Sequence, residues 1–296
     1  MSATIGVDWG TTNMRAWRFA ADGSIVDTRR AETGIGAIAG RDFAGVLESV
    51  VGPWLGDDAQ IIMGGMIGSR NGWREIPYLD CPASLEALGA GALPVEFGAA
   101  AAWIAPGVHH LTAGGVHDVM RGEEVQLLGA GIADGIVILP GTHSKWARMA
   151  GGALAGFRTY LTGELYALFR RHSFVAQSIE GEARDPDAFA NGVERALADP
   201  AITALLFTVR TEALFDAIAP TGLADYLSGL LIGAEIRAGL ETAAGPIAII
   251  AEDALAERYE AALTQAGISD VTRIDGNRAA AAGLWAIGHS VKWSDI

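Results

Sequence analysis

Apolar and polar positions alternate in distinct registers along this chain. Thr4 to Val7 is a short apolar run that ends at Asp8 and opens into the loop DWGTTN. Met14 to Ala20 and Ser24 to Arg30 read as two strands joined at Ala21-Asp22-Gly23, a hairpin signal. From Arg41 to Val51 the apolar residues Phe43, Val46, Leu47 and Val50 recur at helical spacing, and Pro53 closes the pattern. Gln60 to Met63 reads as a buried strand feeding the loop GGMIGSRNGW. Cys81 to Gly115, rich in Ala, Gly and Pro, predicts only short elements, with a strand over His109 to Thr112.

Further on, GVHD leads into a predicted helix, Arg121 to Gly131. A strand follows from Ile136 to Leu139, then a second glycine loop, PGTHSKW, and a hairpin over Trp146 to Tyr160 turning at Gly151-Gly152. Helical patterns cover Leu161 to Arg171, Pro186 to Ala198, Ile202 to Ile218 and Leu223 to Glu241. The chain closes as strand, helix, strand and helix: Ile247 to Ala251, Ala254 to Ala266, Val271 to Ile274 and Asn277 to Ile287. Alternating strands and helices predict an α/β protein. One unit occurs twice, an apolar strand followed by a Gly-Thr loop and a hairpin, at Asp8 to Arg30 and at Leu139 to Tyr160.

Composition narrows the functional classes. The 296 residues are 50% hydrophobic and 19% charged, with a mean hydropathy of +0.27, which suits two packed lobes rather than a disordered chain. A net charge of −14 argues against a nucleic-acid or anionic-membrane partner. It leaves room for a small anionic substrate held by two or three local cations. The single cysteine, Cys81, excludes an intrachain disulfide and a CxxC zinc pair. The start, MSATIGVDWG, lacks a basic region before an apolar run, so a reducing cytoplasm is the expected location. The longest uncharged stretch, Phe97 to His117, holds Pro106, glycines and three histidines, a poor membrane span.

Four segments carry candidate chemistry. In DWGTTN, Gly10 has no side chain to obstruct a phosphate, and the backbone amides and hydroxyls of Thr11 and Thr12 can approach its oxygens, with Asn13 next in the loop. Asp8 at the strand end can hold Mg²⁺ through water. An ordinary turn into a hairpin is the competing account. PGTHSKW repeats the pattern with Gly141, Thr142 and His143, and adds Lys145. Of 21 basic residues only Lys145 and Lys292 are lysines, so a lysine here suggests a compact charge aimed at phosphate. In GVHDVMRGEE, Asp118 is placed either as a general base for a hydroxyl or as a helix N-cap. In GGMIGSRNGWREIP, the tip residues Gly68, Ser69, Arg70 and Asn71, with Arg74 nearby, suit a carboxylate or form a solvated turn.

Absent motifs also exclude classes. There is no GxxxxGK[ST], GxSxG or HExxH, and GIGAIAG at Gly34 to Gly40 does not fit the dinucleotide fingerprint. His109-His110 read as strand residues rather than metal ligands.

Taken together, the two glycine loops and the strand-helix pair IAIIAEDALAERYEAAL resemble the actin-like ATPases. That resemblance implies a two-lobed, ribonuclease H-like α/β fold with a nucleotide cleft between the lobes. The lobes would be 1–116, with the first phosphate loop and substrate loops, and 117–296, with the second phosphate loop and adenosine segment. The last helix would pack back on the N-terminal lobe. More narrowly, DWGTTNMRAWRF, GGMIGSRNGW, GVHDVMRGEEVQLLGA, PGTHSKWARM, FRTYLTGELYALFRRHS and LLIGAEIRAGL resemble, in order, segments of the 2-dehydro-3-deoxygalactonokinase family.

The resemblance implies ATP and Mg²⁺ as cofactors and transfer of phosphate to the 6-hydroxyl of 2-dehydro-3-deoxy-D-galactonate, in galactonate catabolism. It aligns Asp118 with the catalytic base. Gly10, Thr11, Thr12, Asn13, Gly141, Thr142, His143 and Lys145 fall in the phosphate loops, and Asp8 at the metal. Arg70, Arg74 or Arg158 would meet the substrate carboxylate. The expected partner is a small sugar acid; a homodimer is compatible with the sequence. Kinases of other sugars share such motifs, and a nucleotide-gated switch that binds a protein is a second alternative. An NAD enzyme is disfavoured by the missing fingerprint.

Overall fold

The computed structural model describes residues 4–56, 58–181 and 184–293. Contacts divide the chain into two compact units. Unit 1 comprises Met1–Asp134, Ala147–Phe157 and Asp275–Ile296; unit 2 comprises Gly135–Trp146 and Arg158–Ile274. The division falls after Asp134 rather than at 116/117. The reason is that the segment from His117 to Gly129 completes a sheet and a helix of unit 1.

In chain order, unit 1 begins with β1 (Thr4–Trp9), β2 (Met14–Phe19), β3 (Ile25–Ala31), α1 (Phe43–Val51), β4 (Gln60–Gly64) and β5 (Leu79–Asp80). It continues with α2 (Leu85–Ala90), β6 (Leu93–Phe97), β7 (Ala100–Ile104), β8 (Val108–Leu111), β9 (His117–Met120) and α3 (Glu123–Gly129). Then come β10 (Gly135–Leu139), β11 (Ser144–Ala150), β12 (Ala153–Tyr160), α4 (Thr162–His172), α5 (Pro186–Ala198) and α6 (Ile202–Leu214). The last elements are α7 (Leu223–Leu240), β13 (Ile247–Ile250), α8 (Asp253–Gln265), β14 (Val271–Ile274) and α9 (Gly276–Ser290), the last of these in unit 1.

The main sheet of unit 1 has the order β3-β2-β1-β4-β7-β6, and that of unit 2 has β12-β11-β10-β13-β14. Five successive strands therefore take the same places in both, hairpin first and parallel strands after. The same strand order thus recurs in both units, as does the strand-loop-hairpin segment in the sequence. In unit 1, β1 pairs in parallel with β4, placing Asp8 beside Gly64. In unit 2, β10 pairs in parallel with β13, Ile138 beside Ile249. Loops far apart in sequence thus leave the same carboxyl edge of each sheet, where α/β proteins place ligands.

The local causes are visible at the caps. Asp42 accepts the Gly45 N–H at 2.9 Å and starts α1. Asp185 accepts the Ala188 N–H at 2.9 Å with Pro186 at the first turn, which starts α5 where the sequence pattern placed it. The core of unit 1 gathers Ile5, Val7, Met14, Leu47, Ile61 and Met63. Unit 2 has two clusters, one under its sheet around Ile138, Ile236 and Ile249, the other among helices around Leu206, Leu227 and Leu230. Helix α7 joins both and is apolar nearly all round, as a central helix must be.

Among the described residues, no helix is long and apolar enough to cross a membrane. The Ala-rich stretch after Cys81 holds α2, β6, β7 and β8. The strands β5, β8 and β9 form a small third sheet. On it His109 lies 2.5 Å from Asp80 and 2.8 Å from His117, so neighbouring strands supply its polar partners. No group of three or more His, Cys, Asp or Glu among the described residues is arranged to hold a metal.

Candidate active site

The first glycine loop is built as a braced turn. Gly10 N–H donates to the Asn13 carbonyl at 2.9 Å, and the side chains of Thr11, Thr12 and Asn13 face outward. The brace is the GIGAIAG segment, which the sequence reading set aside. Gly34 N–H donates to Thr12 O at 2.9 Å, Ile35 N–H to Gly10 O at 3.0 Å, and Gly36 N–H to Thr11 O at 3.2 Å. A Cβ on Gly34 would sit 2.2 Å from the Thr11 carbonyl, so only glycine permits this approach. With its carbonyls occupied behind it, the loop presents hydroxyls and free backbone edges forward.

Asp8 precedes this loop. Desolvation raises its pKa to about 6, with Arg15 opposing and Glu123 adding to the rise. A Cβ on Gly65 would lie 3.1 Å from Asp8 Oδ1, so the turn after β4 borders this carboxylate. A carboxylate oxygen suits a hard divalent cation such as Mg²⁺, and here Asp8 has the Glu123 charge and the opposing Arg15 cation within electrostatic reach.

The second loop has the same design in unit 2. Glu164 N–H donates to the Thr142 carbonyl at 3.0 Å, and a Cβ on Gly163 would meet the Gly141 carbonyl at 2.4 Å. His143 lies 2.6 Å from the Glu164 carboxylate and is exposed. Gly141, Thr142, Thr162 and Gly163 form the polar wall of a cavity of about 370 Å³. Its other walls come from α7 (Leu231, Ile232) and α8 (Leu255, Tyr259), with Tyr166, Ser228 and Arg258 as polar or aromatic contributors. The volume lies in the range of ordinary small-ligand sites. The predicted adenosine segment, through α8, is therefore brought against the second loop.

Beneath this cavity is a carboxylate that no motif singled out. Glu235 on α7 is 3% exposed and accepts from Ser144 Oγ at 2.6 Å, Trp146 Nε1 at 2.8 Å and the Tyr259 hydroxyl at 2.7 Å, as well as from Thr162 Oγ1. Burial raises its pKa while these four donors lower it. It ties β11, α4 and α8 to α7, and Thr162 and Tyr259 line the cavity.

Several predicted positions differ. Lys145 is not in the loop: β11 begins at Ser144, and Lys145 lies within that strand, 4% exposed. Asp118 does not head a helix. It lies in β9 opposite His110, and α3 starts five residues later with Gly122, at φ 114°, as its N-cap. The tight Gly-Glu turn, rather than aspartate, starts that helix. Arg70 is solvent-facing, with 86% of its side chain exposed and Glu75 at 3.8 Å. Exposed Arg74 donates to the Pro94 carbonyl. Arg158 is exposed in unit 2 and stacks 5.5 Å from the Tyr160 ring centre. Asn71 is exposed, and Gly68 and Ser69 stand at the base of the turn.

Residues 8–287 match the profile of the 2-keto-3-deoxy-galactonokinase family. The chain belongs to that family. It is 36% identical to the 2-dehydro-3-deoxygalactonokinase of Escherichia coli (strain K12), over 97% of this chain and 98% of that one. A second relative, DgoK1 of Rhizobium meliloti (strain 1021), is 34% identical over 96% of each chain. The solved structure of a Sinorhizobium meliloti protein assigned to the same kinase superposes with a TM-score of 0.89 at 34% identity. That match covers 96% of this chain and 97% of the other. As a member of the 2-keto-3-deoxy-galactonokinase family, the chain carries both braced loops and the α8 cavity within the matched residues.

Proposed function

We propose that the chain transfers the γ-phosphoryl group of ATP to the 6-hydroxyl of 2-dehydro-3-deoxy-D-galactonate. The products are 2-dehydro-3-deoxy-6-phosphogalactonate and ADP. The observation that carries this reading is the family match across residues 8–287, joined to two Gly-Thr loops, each held rigid by a glycine packed behind it.

Phosphoryl transfer asks the protein mainly for positioning and charge stabilisation. In unit 2 the 370 Å³ cavity takes the nucleoside, with its apolar walls on the base and Gly141-Thr142 toward the phosphates. In unit 1 Gly10, Thr11, Thr12 and Asn13 carry backbone N–H, hydroxyl and amide donors of the kind that bind phosphate oxygens. Asp8 would hold Mg²⁺, which when bound would neutralise phosphate charge. Ser69 and the turn after β4 address the sugar acid.

The general base is Asp118 or Glu123. The family resemblance favours Asp118. The structure favours Glu123 in one respect, because the charge of Glu123, not of Asp118, is felt at Asp8. Asp118→Asn and Glu123→Gln separate them. The base variant loses about 10²- to 10⁴-fold in kcat while KM for ATP holds, and the other does not. Two near-normal variants would end the assignment of a carboxylate base.

The activity is tested by coupling ADP release to a panel of sugar acids and neutral sugars, with phosphorus NMR locating the new ester. Preferential turnover of a different acceptor would leave the kinase reading standing and move the substrate. ATP turnover indifferent to every acceptor would overturn it.

A further inference from the structure

An arginine stays charged at any cellular pH and carries five N–H donors, so burying one demands partners. Arg121, between β9 and α3, is only 8% exposed. One donor is accounted for, Nη2 to the Ile76 carbonyl at 2.8 Å. The guanidinium lies 4.3 Å from the centre of the Tyr78 ring, which fixes its plane. Nε and Nη1 are buried and have no hydrogen-bond partner.

The nearest acids in sequence do not supply one. Glu123 Oε2 accepts the Arg121 backbone N–H at 3.1 Å, and both oxygens of Glu124 face the Gly122 N–H at 2.7 and 2.9 Å. Leaving two donors of a buried cation unpaired is costly, and a ligand that met them would recover part of that cost.

A second orphan lies on the adjoining turn: Ser69 Oγ is also buried without a partner. The preceding residue, Gly68, abuts the fork, for a Cβ there would lie 2.9 Å from Arg121 Nη1. The Gly68 carbonyl accepts the Ile76 N–H at 2.9 Å, and the Ile76 carbonyl is the one that takes Arg121 Nη2. Fork and hydroxyl are thus fastened to one short turn.

We propose that Arg121 and Ser69 form the subsite for the 2-oxo-carboxylate end of the sugar acid. Nη1 would donate to a carboxylate oxygen, and Ser69 Oγ to the neighbouring 2-oxo oxygen. This deepens the kinase reading and rests on it. It replaces Arg70, whose charge is spent in water, where a single ion pair discriminates little. Neither nitrogen touches solvent in the free protein, so the acid binds with a local opening at the fork that leaves Ser69 and Arg121 fastened to the same turn. A neutral sugar would leave the same donors unpaired, and a site built to hydrogen-bond its substrate rejects such a ligand strongly.

The test compares the sugar acid with its uncharged primary amide, in the wild type and in Arg121→Gln, Arg121→Lys and Ser69→Ala. The wild type should prefer the acid by about 100-fold or more in kcat/KM. Arg121→Gln should raise KM for the acid by a similar factor, leave KM for ATP within about twofold, and erase the preference for acid over amide. Arg121→Lys keeps charge without the fork and should fall between; Ser69→Ala should lose about tenfold. If Arg121→Gln does not fold, the lysine and alanine variants carry the same comparison. An acid preference unchanged in the Arg121 variants, or a wild type indifferent to the amide, would overturn the assignment. A wild type that phosphorylates no sugar acid would instead sink the parent reading. Calorimetric binding of the acid to wild type and variant then judges Arg121, and equal affinities overturn it.

Discussion

Glu124 offers a quantitative check on the electrostatics of this site. Its side chain is fully buried behind the turn that carries Arg121, and burial is the main cause that raises its pKa from 4.5 to about 8. The Glu123 charge adds to the rise, while the Gly122 N–H and Arg121 work against it. The folded protein therefore holds this proton more tightly than the unfolded chain does. Stability from this source is complete below about pH 4.5, declines through the window from 4.5 to 8, and is gone above it. At about 1.4 kcal/mol per pH unit, the loss across the window is about 5 kcal/mol, of which about 3 has accrued by pH 7.

Glu124→Gln keeps the shape and carries no titrating proton. The difference in unfolding free energy, variant minus wild type, should therefore grow by about 5 kcal/mol between pH 4.5 and 8.5. Urea unfolding followed by tryptophan fluorescence suits the measurement, because seven of the eight tryptophans lie in unit 1. Every other titrating group is common to both proteins and cancels in the difference. A difference constant within about 1 kcal/mol across that range would show that the carboxyl titrates alike in both states. The burial argument would then be wrong.

Other consequences are sharper in kinetics or melting. Gly34→Ala drives a methyl into the Thr11 carbonyl and must displace the first loop; kcat/KM for ATP should fall at least about tenfold, and wild-type kinetics would refute the brace. Glu235→Gln replaces an acceptor of four donors with an amide that can accept fewer, costing about 2–4 kcal/mol. The melting temperature should drop by about 5–10 °C in calorimetry, and an unchanged value would mean the donors find other partners.

Much of the fold follows from local patterning. The hairpin β2–β3 and the helix Pro186–Ala198 fall where alternation, turn residues and a capped Pro start put them. The stretch after Cys81 did not yield, because its strands are short and β7 is written AAAWI. Alanine favours helix by intrinsic propensity. Here β7 is a strand because β4 and β6 flank it and satisfy its backbone. Both Gly-Thr loops were legible because Gly-Thr after an apolar strand is a local signal. Their braces were not, since Gly34 and Gly163 acquire meaning only where the chain returns.

The sequence alone determined the duplicated strand-loop-hairpin plan, the two Gly-Thr loops and the family, because each is carried by consecutive residues. Tertiary structure alone decided which charged side chains are enclosed and which are solvated. Lys145 looks like a loop cation but is a buried strand residue, Arg70 looks like a ligand but is solvated, and Arg121 looks like a helix-start arginine but is enclosed. Burial and the presence of a partner depend on chain segments distant in sequence, and for an ionised side chain these two quantities govern its energy.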